Sequence, residues 1–285
     1  MTTTTAPVRA VTCSTPGARR RWAWIIIWAP LLIAATVVQL YRQTGVAPWR
    51  TIWAEDGGTF FTGTATFGHL LDPYAGYLEV IPRAFGLAGH LVPIRDLAWY
   101  YAIAGAVLTT LCAAAVWRFS CQIVPSIVLR AVLALSVVLA PTMILEQLGN
   151  GVNTIWAVTF AAWWAVLYRP TSRYDAAAPA AIAFLAVASQ ALTLAYAPVV
   201  AHNTWKRRER PTFLVAAAFL AGALVQLVVI AGATDHTPTG AHHFGDLPKI
   251  YGVRVVGSML VSERRLGDVW DALGDALPLL AVLVA

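Results

Sequence analysis

Two adjacent carboxylates, Glu55 and Asp56, stand in the segment WAEDGG, shortly after a strongly apolar stretch of the chain. A carboxylate beside a hydroxyl group can remove its proton as a general base, which contributes about 10² to 10⁴ in rate. A solvated turn is the alternative, because Gly57 and Gly58 follow directly and glycine favours tight turns. If the segment is helical, adjacent side chains diverge by about 100°, so only one acid can face a cleft.

A second group of polar side chains stands in the segment TDHTPTGAHHFGD, toward the end of the sequence. Histidine and carboxylate side chains are zinc ligands, but their spacing here matches no compact zinc signature. We therefore expect a polar loop on the substrate side, with His242 and His243 as substrate-binding residues. The chain also has no glycine-rich phosphate loop, no dinucleotide-binding fingerprint and no nucleophile elbow.

The composition indicates a membrane protein. Of 285 residues, 59% are hydrophobic and only 12% are charged, whereas soluble domains carry about 25% charged residues. Mean hydropathy is +0.66. The net charge of +6 is spread between apolar runs rather than gathered into a basic patch, so we expect no nucleic-acid partner. Three cysteines without close or metal-type spacing predict no disulfide framework.

Apolar runs of the kind that cross a bilayer recur along the chain. They lie at about 22–41, 96–117, 126–145, 153–168, 177–203, 212–233 and 273–285. Loops rich in Lys and Arg stay in the cytoplasm, and three arginines precede the first run. The sequence therefore predicts an all-α, polytopic transmembrane helical bundle in the plasma membrane. Residues 1–21 would form a disordered cytoplasmic tail and residues 22–285 the transmembrane helical domain.

The run at 177–203 has basic residues at both ends, Arg173 before it and Lys206 after it. A single crossing would place the segment KRRER on the wrong side of the membrane. Ser189 interrupts the run near its middle. We therefore predict two half-helices that turn near Ser189, border the substrate cavity and return to the cytoplasm. One long tilted helix is the alternative.

With this hairpin, the outer loops fall at about 42–95, 146–152 and 234–272, and every acid except Asp175 and Glu209 lies on or beside them. Aromatic residues in the first loop predict short helices in the headgroup region. Polar residues of the second loop are expected to line the same cleft as the acid pair: Glu146, Gln147, Asn150 and Asn153. The last apolar run is shorter than a span needs, which predicts a truncated chain with a partner chain.

The acid pair soon after the first span resembles the GT-C superfamily of membrane glycosyltransferases. The segments WAEDGGTFF and PYAGYLEVIPR are similar to segments of bacterial proteins of this class, and the hairpin ending in a basic loop is a further likeness. Those enzymes, mannosyltransferases among them, take a sugar from a polyprenyl-phosphate carrier at the outer membrane face. Their acidic pair is matched here by Glu55-Asp56. The chain is shorter than family members, which usually have more spans.

The resemblance implies transfer of a sugar from a polyprenyl-phosphate carrier to an acceptor of the cell envelope. Asp56 would be the base and Glu55 would position the acceptor or a metal, although the two roles could be exchanged. The departing lipid phosphate needs cations or a divalent metal, and arginine geometry suits phosphate. No other cofactor is implied. The candidate substrate-binding arginines are Arg83 in the first outer loop and Arg254, Arg264 and Arg265 in the last.

Two other functions are open: a lipid-linked sugar flippase or transporter, and a non-catalytic membrane assembly subunit. Transporters usually place ionisable groups within spans, near the midplane of the membrane. The predicted spans are nearly free of such groups, which favours chemistry at the outer face. An assembly subunit could lose the acid pair, which is present here.

Overall fold

The computed structural model describes residues 18–42, 45–139 and 150–233, with side chains described from Ile27 onward. This part of the chain is mostly helical, as the sequence predicts. Its α-helices are α1 (Ala18–Arg42), α2 (Val80–Gly89), α3 (Leu97–Phe119), α4 (Ile127–Leu139), α5 (Thr154–Leu167), α6 (Ala177–Val187), α7 (Ala197–Arg207) and α8 (Arg210–Gly232).

Two helical stretches in the described residues are long and apolar enough to cross a membrane: Ile94–Gln122, which contains α3, and α8. Large apolar side chains also cover the outer faces of other helices. Ile33 on α1, Val128 on α4 and Leu224 on α8 are each more than 60% exposed. Soluble monomers rarely expose contiguous apolar surfaces of this kind. The structure thus contains candidate membrane-spanning helices, and the number of crossings stays a prediction.

Charged residues gather where α3 and α5 end and where α6 and α8 begin, which we call the basic end. Arg118 of α3 pairs with Asp175, which precedes α6, at 3.0 Å. Arg169, just after α5, pairs with Glu209, just before α8. Asp175 and Glu209 are the two acids that the sequence assigns to the cytoplasmic face. The structure therefore brings together basic loops and acids that the positive-inside argument places on one side.

The segment 177–203 forms a broken helical hairpin. Helix α6 ends shortly before Ser189, a short 3₁₀ helix follows at Ala191–Tyr196, and α7 completes the hairpin. Arg207, the last residue of α7, donates a hydrogen bond of 2.9 Å to the carbonyl of Leu167 at the end of α5. The chain thus returns to the basic end, from which α6 started. The predicted helix break near Ser189 is confirmed, and one continuous helix is excluded.

Small residues allow the helices to approach closely. A Cβ added at Gly105 of α3 would lie 2.8 Å from the carbonyl oxygen of Asn150, and one at Gly222 of α8 would lie 2.8 Å from that of Phe184 on α6. Several alanines of α5 are fully buried as well. Small residues at helix contacts are typical of packing in lipid, where close van der Waals contact drives association.

The segment between α1 and α3 folds against the opposite end of the bundle. It contains a π-helix at Asp56–Phe61 and two short antiparallel strands, β1 (Pro73–Tyr74) and β2 (Tyr77–Leu78), before α2. Ala75 and Gly76 join the strands with positive φ angles of 51° and 86°, as a tight hairpin turn requires. The predicted first outer loop is therefore an ordered substructure, and it carries the acid pair.

Candidate acid site at the end of the bundle

Three carboxylates, Glu55, Asp56 and Glu79, lie close together: the charge of Glu55 helps to raise the pKa of Asp56, and the charges of Glu55 and Asp56 help to raise that of Glu79. We call them the acid cluster. Tyr101, at the start of α3, contacts this cluster, whereas Arg118 of the same helix belongs to the basic end. A rise of 1.5 Å per residue separates these two residues by about 26 Å. This separation approaches the thickness of the hydrocarbon core, about 30 Å.

Asp56 joins the first loop to the start of α5. Its side chain is 0% exposed, and its carboxylate accepts hydrogen bonds from the backbone N–H groups of Gly151, at 2.7 Å, and Val152, at 3.0 Å. The hydroxyl of Tyr101 donates to the Asp56 carbonyl at 3.3 Å. Burial raises the pKa of Asp56 to about 7, although the two backbone hydrogen bonds oppose this shift. Asp56 is therefore a fixed anchor, with both oxygens engaged.

Glu55 is placed differently from its neighbour. It is half-buried, and one of its carboxylate oxygens is shielded from solvent without a hydrogen-bond partner in the described part of the chain. Its charge contributes to the raised pKa values of Asp56, Glu79 and Tyr74, so it lies near all three. Glu55 is thus partly accessible to solvent, and its shielded oxygen makes no hydrogen bond within the described residues.

Glu79 is the member of the cluster that the sequence analysis does not select. It follows β2, is 2% exposed, and one of its oxygens has no hydrogen-bond partner among the described residues. Burial raises the pKa of Glu79 to about 7, while a hydrogen bond from Tyr77 and the charge of Arg83 lower it. The sequence feature that could have indicated Glu79 is the tight turn at Ala75-Gly76, because this turn folds the acid back toward the bundle.

Gln226 of α8 fixes the residue before Glu79. Its side-chain oxygen accepts the N–H of Leu78 at 2.9 Å, and its side-chain nitrogen donates to the carbonyl of Leu78 at 3.4 Å. Gln226 is 0% exposed, so both bonds lie in an apolar surrounding where unpaired polar groups are costly. The position of Glu79 is therefore set by a helix far away in sequence.

The break in the hairpin borders the acid cluster. The carbonyl of Ala188 accepts the N–H of Val80 at 3.2 Å, and the hydroxyl of Ser189 accepts the N–H of Ile81 at 3.0 Å. These two N–H groups open α2 and would otherwise lack partners, because a helix cannot satisfy its first turn internally. The non-helical backbone near Ser189 thus caps the helix that follows Glu79.

Arg83, the predicted substrate-binding residue of the first loop, is 5% exposed. Its guanidinium donates to the carbonyls of Asp72, Pro73 and Gly63 and to the hydroxyl of Thr64, at 2.7 to 3.4 Å. These bonds hold the loop around the strands. The other predicted substrate-binding residues lie outside the described residues: Arg254, Arg264, Arg265, His242 and His243.

In the predicted second outer loop, Asn150 and Asn153 flank Gly151 and Val152, whose N–H groups bind Asp56. Whether they line a cleft with the acid pair stays a prediction, and Glu146 and Gln147 are outside the described residues. No group of three or more His, Cys, Asp or Glu side chains in the described ranges is arranged to hold a metal ion. Comparison with protein-family models, with curated proteins and with solved structures finds no match to this chain.

Proposed function

We propose that this protein is a multi-pass membrane glycosyltransferase that moves a sugar from a polyprenyl-phosphate carrier to an acceptor at the outer membrane face. The observation that carries the proposal is the acid cluster at the end of the bundle opposite to the basic end. The basic end would face the cytoplasm together with the N-terminus, because Lys- and Arg-rich loops are retained there. The acid cluster would then face the outside of the plasma membrane.

Within this proposal, Glu55 is the general base. It has a carboxylate oxygen without a hydrogen-bond partner in the described residues, whereas both oxygens of Asp56 accept backbone N–H groups. Glu55 takes the proton of the acceptor hydroxyl, whose oxygen forms a bond to the anomeric carbon of the sugar. The bond from that carbon to the phosphate oxygen breaks, and polyprenyl phosphate leaves with the electron pair. Asp56, which is fixed by the N–H groups of Gly151 and Val152, holds the adjacent Glu55 in place.

The raised pKa values of Asp56 and Glu79 serve the same chemistry. Three ionised carboxylates would repel a phosphate-bearing donor, but a pKa of about 7 keeps each of these two groups partly protonated at neutral pH. Partial protonation of these two groups reduces the negative charge that the cluster presents to the donor phosphate. Because Arg83 is engaged by the loop, the cations for the departing phosphate would come from Arg254, Arg264 or Arg265, or from a divalent metal.

A proton-coupled transporter of lipid-linked sugars is the second candidate, and Glu79 is the observation that favours it. A buried carboxylate with a pKa near 7 beside a broken helix is typical of proton relays in transporters. In that case the carrier lipid would cross the membrane with its sugar still attached.

Purified full-length protein, reconstituted in vesicles that contain polyprenyl-phosphate mannose with a radiolabelled sugar, separates the two candidates. Water replaces the unknown acceptor, so a transferase releases free mannose and polyprenyl phosphate slowly, without a pH gradient. A transporter moves the intact lipid between leaflets and releases neither product. Absence of labelled sugar release, with or without Mg²⁺, in vesicles whose protein is folded would refute the transferase proposal.

A further inference from the structure

A groove of about 480 Å³ lies between α7 and α8 near the basic end. Apolar side chains, three or four residues apart on each helix, line its walls. They are formed by Ala197, Val200, Ala201, Phe213, Ala216 and Leu220. Trp205 and Arg208 form the end of the groove nearest to the turn between the helices, and Trp205 is 75% exposed. The groove is therefore apolar along its length and cationic at one end.

Three exposed cations flank this end, and none has an acidic partner among the described residues: Lys206, Arg208 and Arg210. Two nearby arginines already have partners. Arg169 pairs with Glu209, and Arg207 donates to the backbone carbonyls of Leu167 and Tyr168 at the end of α5. Lys206, Arg208 and Arg210 thus leave positive charge, without a paired acid in the described part of the chain, around the α7–α8 turn that adjoins the groove. A ligand with an anionic head and an apolar chain matches both features.

Arg208 adopts a backbone conformation that normally favours glycine. It caps α7 with φ of 48° and ψ of 32°, and a left-handed cap of this kind is usually glycine because other residues are strained there. Its guanidinium lies 5.0 Å from the centre of the Trp205 ring, and its Nε donates to the Trp205 carbonyl at 3.3 Å. The terminal nitrogens, which make no hydrogen bond in the described part of the chain, are left to bind an anion.

We propose that this groove binds one anionic phospholipid, with an acyl chain between α7 and α8 and its phosphate at Arg208, next to Lys206 and Arg210. Arginine and tryptophan side by side are suited to the headgroup level of a bilayer. Helix α7, from Ala197 to Arg207, extends for about 16 Å, which gives the acyl chain an apolar wall. The site lies at the opposite end of the bundle from the acid cluster, so its occupant is distinct from the sugar donor.

The test measures lipid retention by the purified full-length protein in neutral detergent, with dioleoyl phosphatidylglycerol and dioleoyl phosphatidylcholine as probes and native mass spectrometry as the readout. Wild type should retain phosphatidylglycerol preferentially. Arg208→Gln should reduce this preference about fivefold, the effect of one basic residue near an anionic lipid surface. Arg208→Gly should reduce it equally while relieving the strained cap, so loss of folding cannot explain the result.

Arg173→Gln is the matched control, because Arg173 is an exposed arginine of the basic end that also lies over a neighbouring ring, that of Tyr174 at 4.8 Å. It should leave the lipid preference unchanged. Ala201→Trp, which fills the groove, should lower retention of both probes. The proposal is overturned if Arg173→Gln weakens binding as much as Arg208→Gln, if Ala201→Trp has no effect, or if polyprenyl phosphate displaces phosphatidylglycerol from the protein.

Discussion

Replacement of Gly86 by alanine should destabilise the protein although alanine is the better helix former. Gly86 lies on α2, and a Cβ there would stand 2.1 Å from the carbonyl oxygen of Phe60 and 2.6 Å from its carbonyl carbon. Ordinary contacts between carbon and carbonyl oxygen are about 3.3 to 3.6 Å. Helix α2 would therefore have to move about 1.2 Å away from the π-helix that carries Asp56.

Overpacking of this kind costs about 1 to 3 kcal/mol, and alanine recovers about 0.5 to 1 kcal/mol through its helix propensity. We expect a net loss of about 1 to 2 kcal/mol. Because α2 follows Glu79 and the π-helix begins at Asp56, the same displacement would separate members of the acid cluster. A misplacement of about 1 Å can lower a rate about 10²-fold, so sugar release should fall more than stability alone explains.

Thermal unfolding in one detergent, followed by tryptophan fluorescence, measures the stability change. Gly58→Ala is the matched control, since Gly58 lies in the π-helix and nothing stands within 4 Å of an added Cβ. Its effect should stay within about 0.5 kcal/mol. If Gly86→Ala is at least as stable as the wild type, helix propensity alone governs this position. The argument that a Cβ at Gly86 would clash with Phe60 would then be refuted.

Three further predictions concern charge, positioning and topology. Burial raises the pKa values of Asp56 and Glu79 to about 7 in the folded protein, whereas their ordinary values are near 4. Between these values the folded chain binds more protons than the unfolded chain, so the free energy of unfolding should fall as pH rises from about 4 to about 7. Glu79→Gln should make the thermal unfolding temperature less dependent on pH in this range. Gln226→Ala should cost about 1 to 3 kcal/mol in the same assay, because it leaves a buried peptide group unpaired; an unchanged melting temperature would contradict this. A single cysteine replacing Lys206 should resist a membrane-impermeant reagent added outside cells, while one within 42–95 should react; labelling of position 206 from outside would reverse the proposed orientation.

Local charge and helix-breaking residues were enough to predict the hairpin. Arg173 and Lys206 flank the segment, Ser189 interrupts it, and the only arrangement that keeps both basic loops on one side is a turn near the middle. The structure has its break at that place. This prediction succeeded because it depends on residues close in sequence and on a rule that concerns loops rather than packing.

The internal geometry of the acid cluster could not be predicted in the same way. Asp56 meets Gly151 and Val152, and Leu78 meets Gln226, across long stretches of chain. No periodicity or local motif records such contacts, which follow from how the helices pack. Sequence reasoning consequently identified the acid pair, left the roles of its two members open, and did not select Glu79, whose neighbour Leu78 is bound by Gln226 of α8.

The rate of sugar release by Glu55→Gln tests the central claim most directly. The substitution removes the proposed base, and the buried Glu55 oxygen has no hydrogen bond within the described residues to lose, so the melting temperature should match that of the wild type. The account predicts that release of labelled mannose from polyprenyl-phosphate mannose falls about 10² to 10⁴-fold. A folded Glu55→Gln protein that releases mannose at the wild-type rate would contradict it.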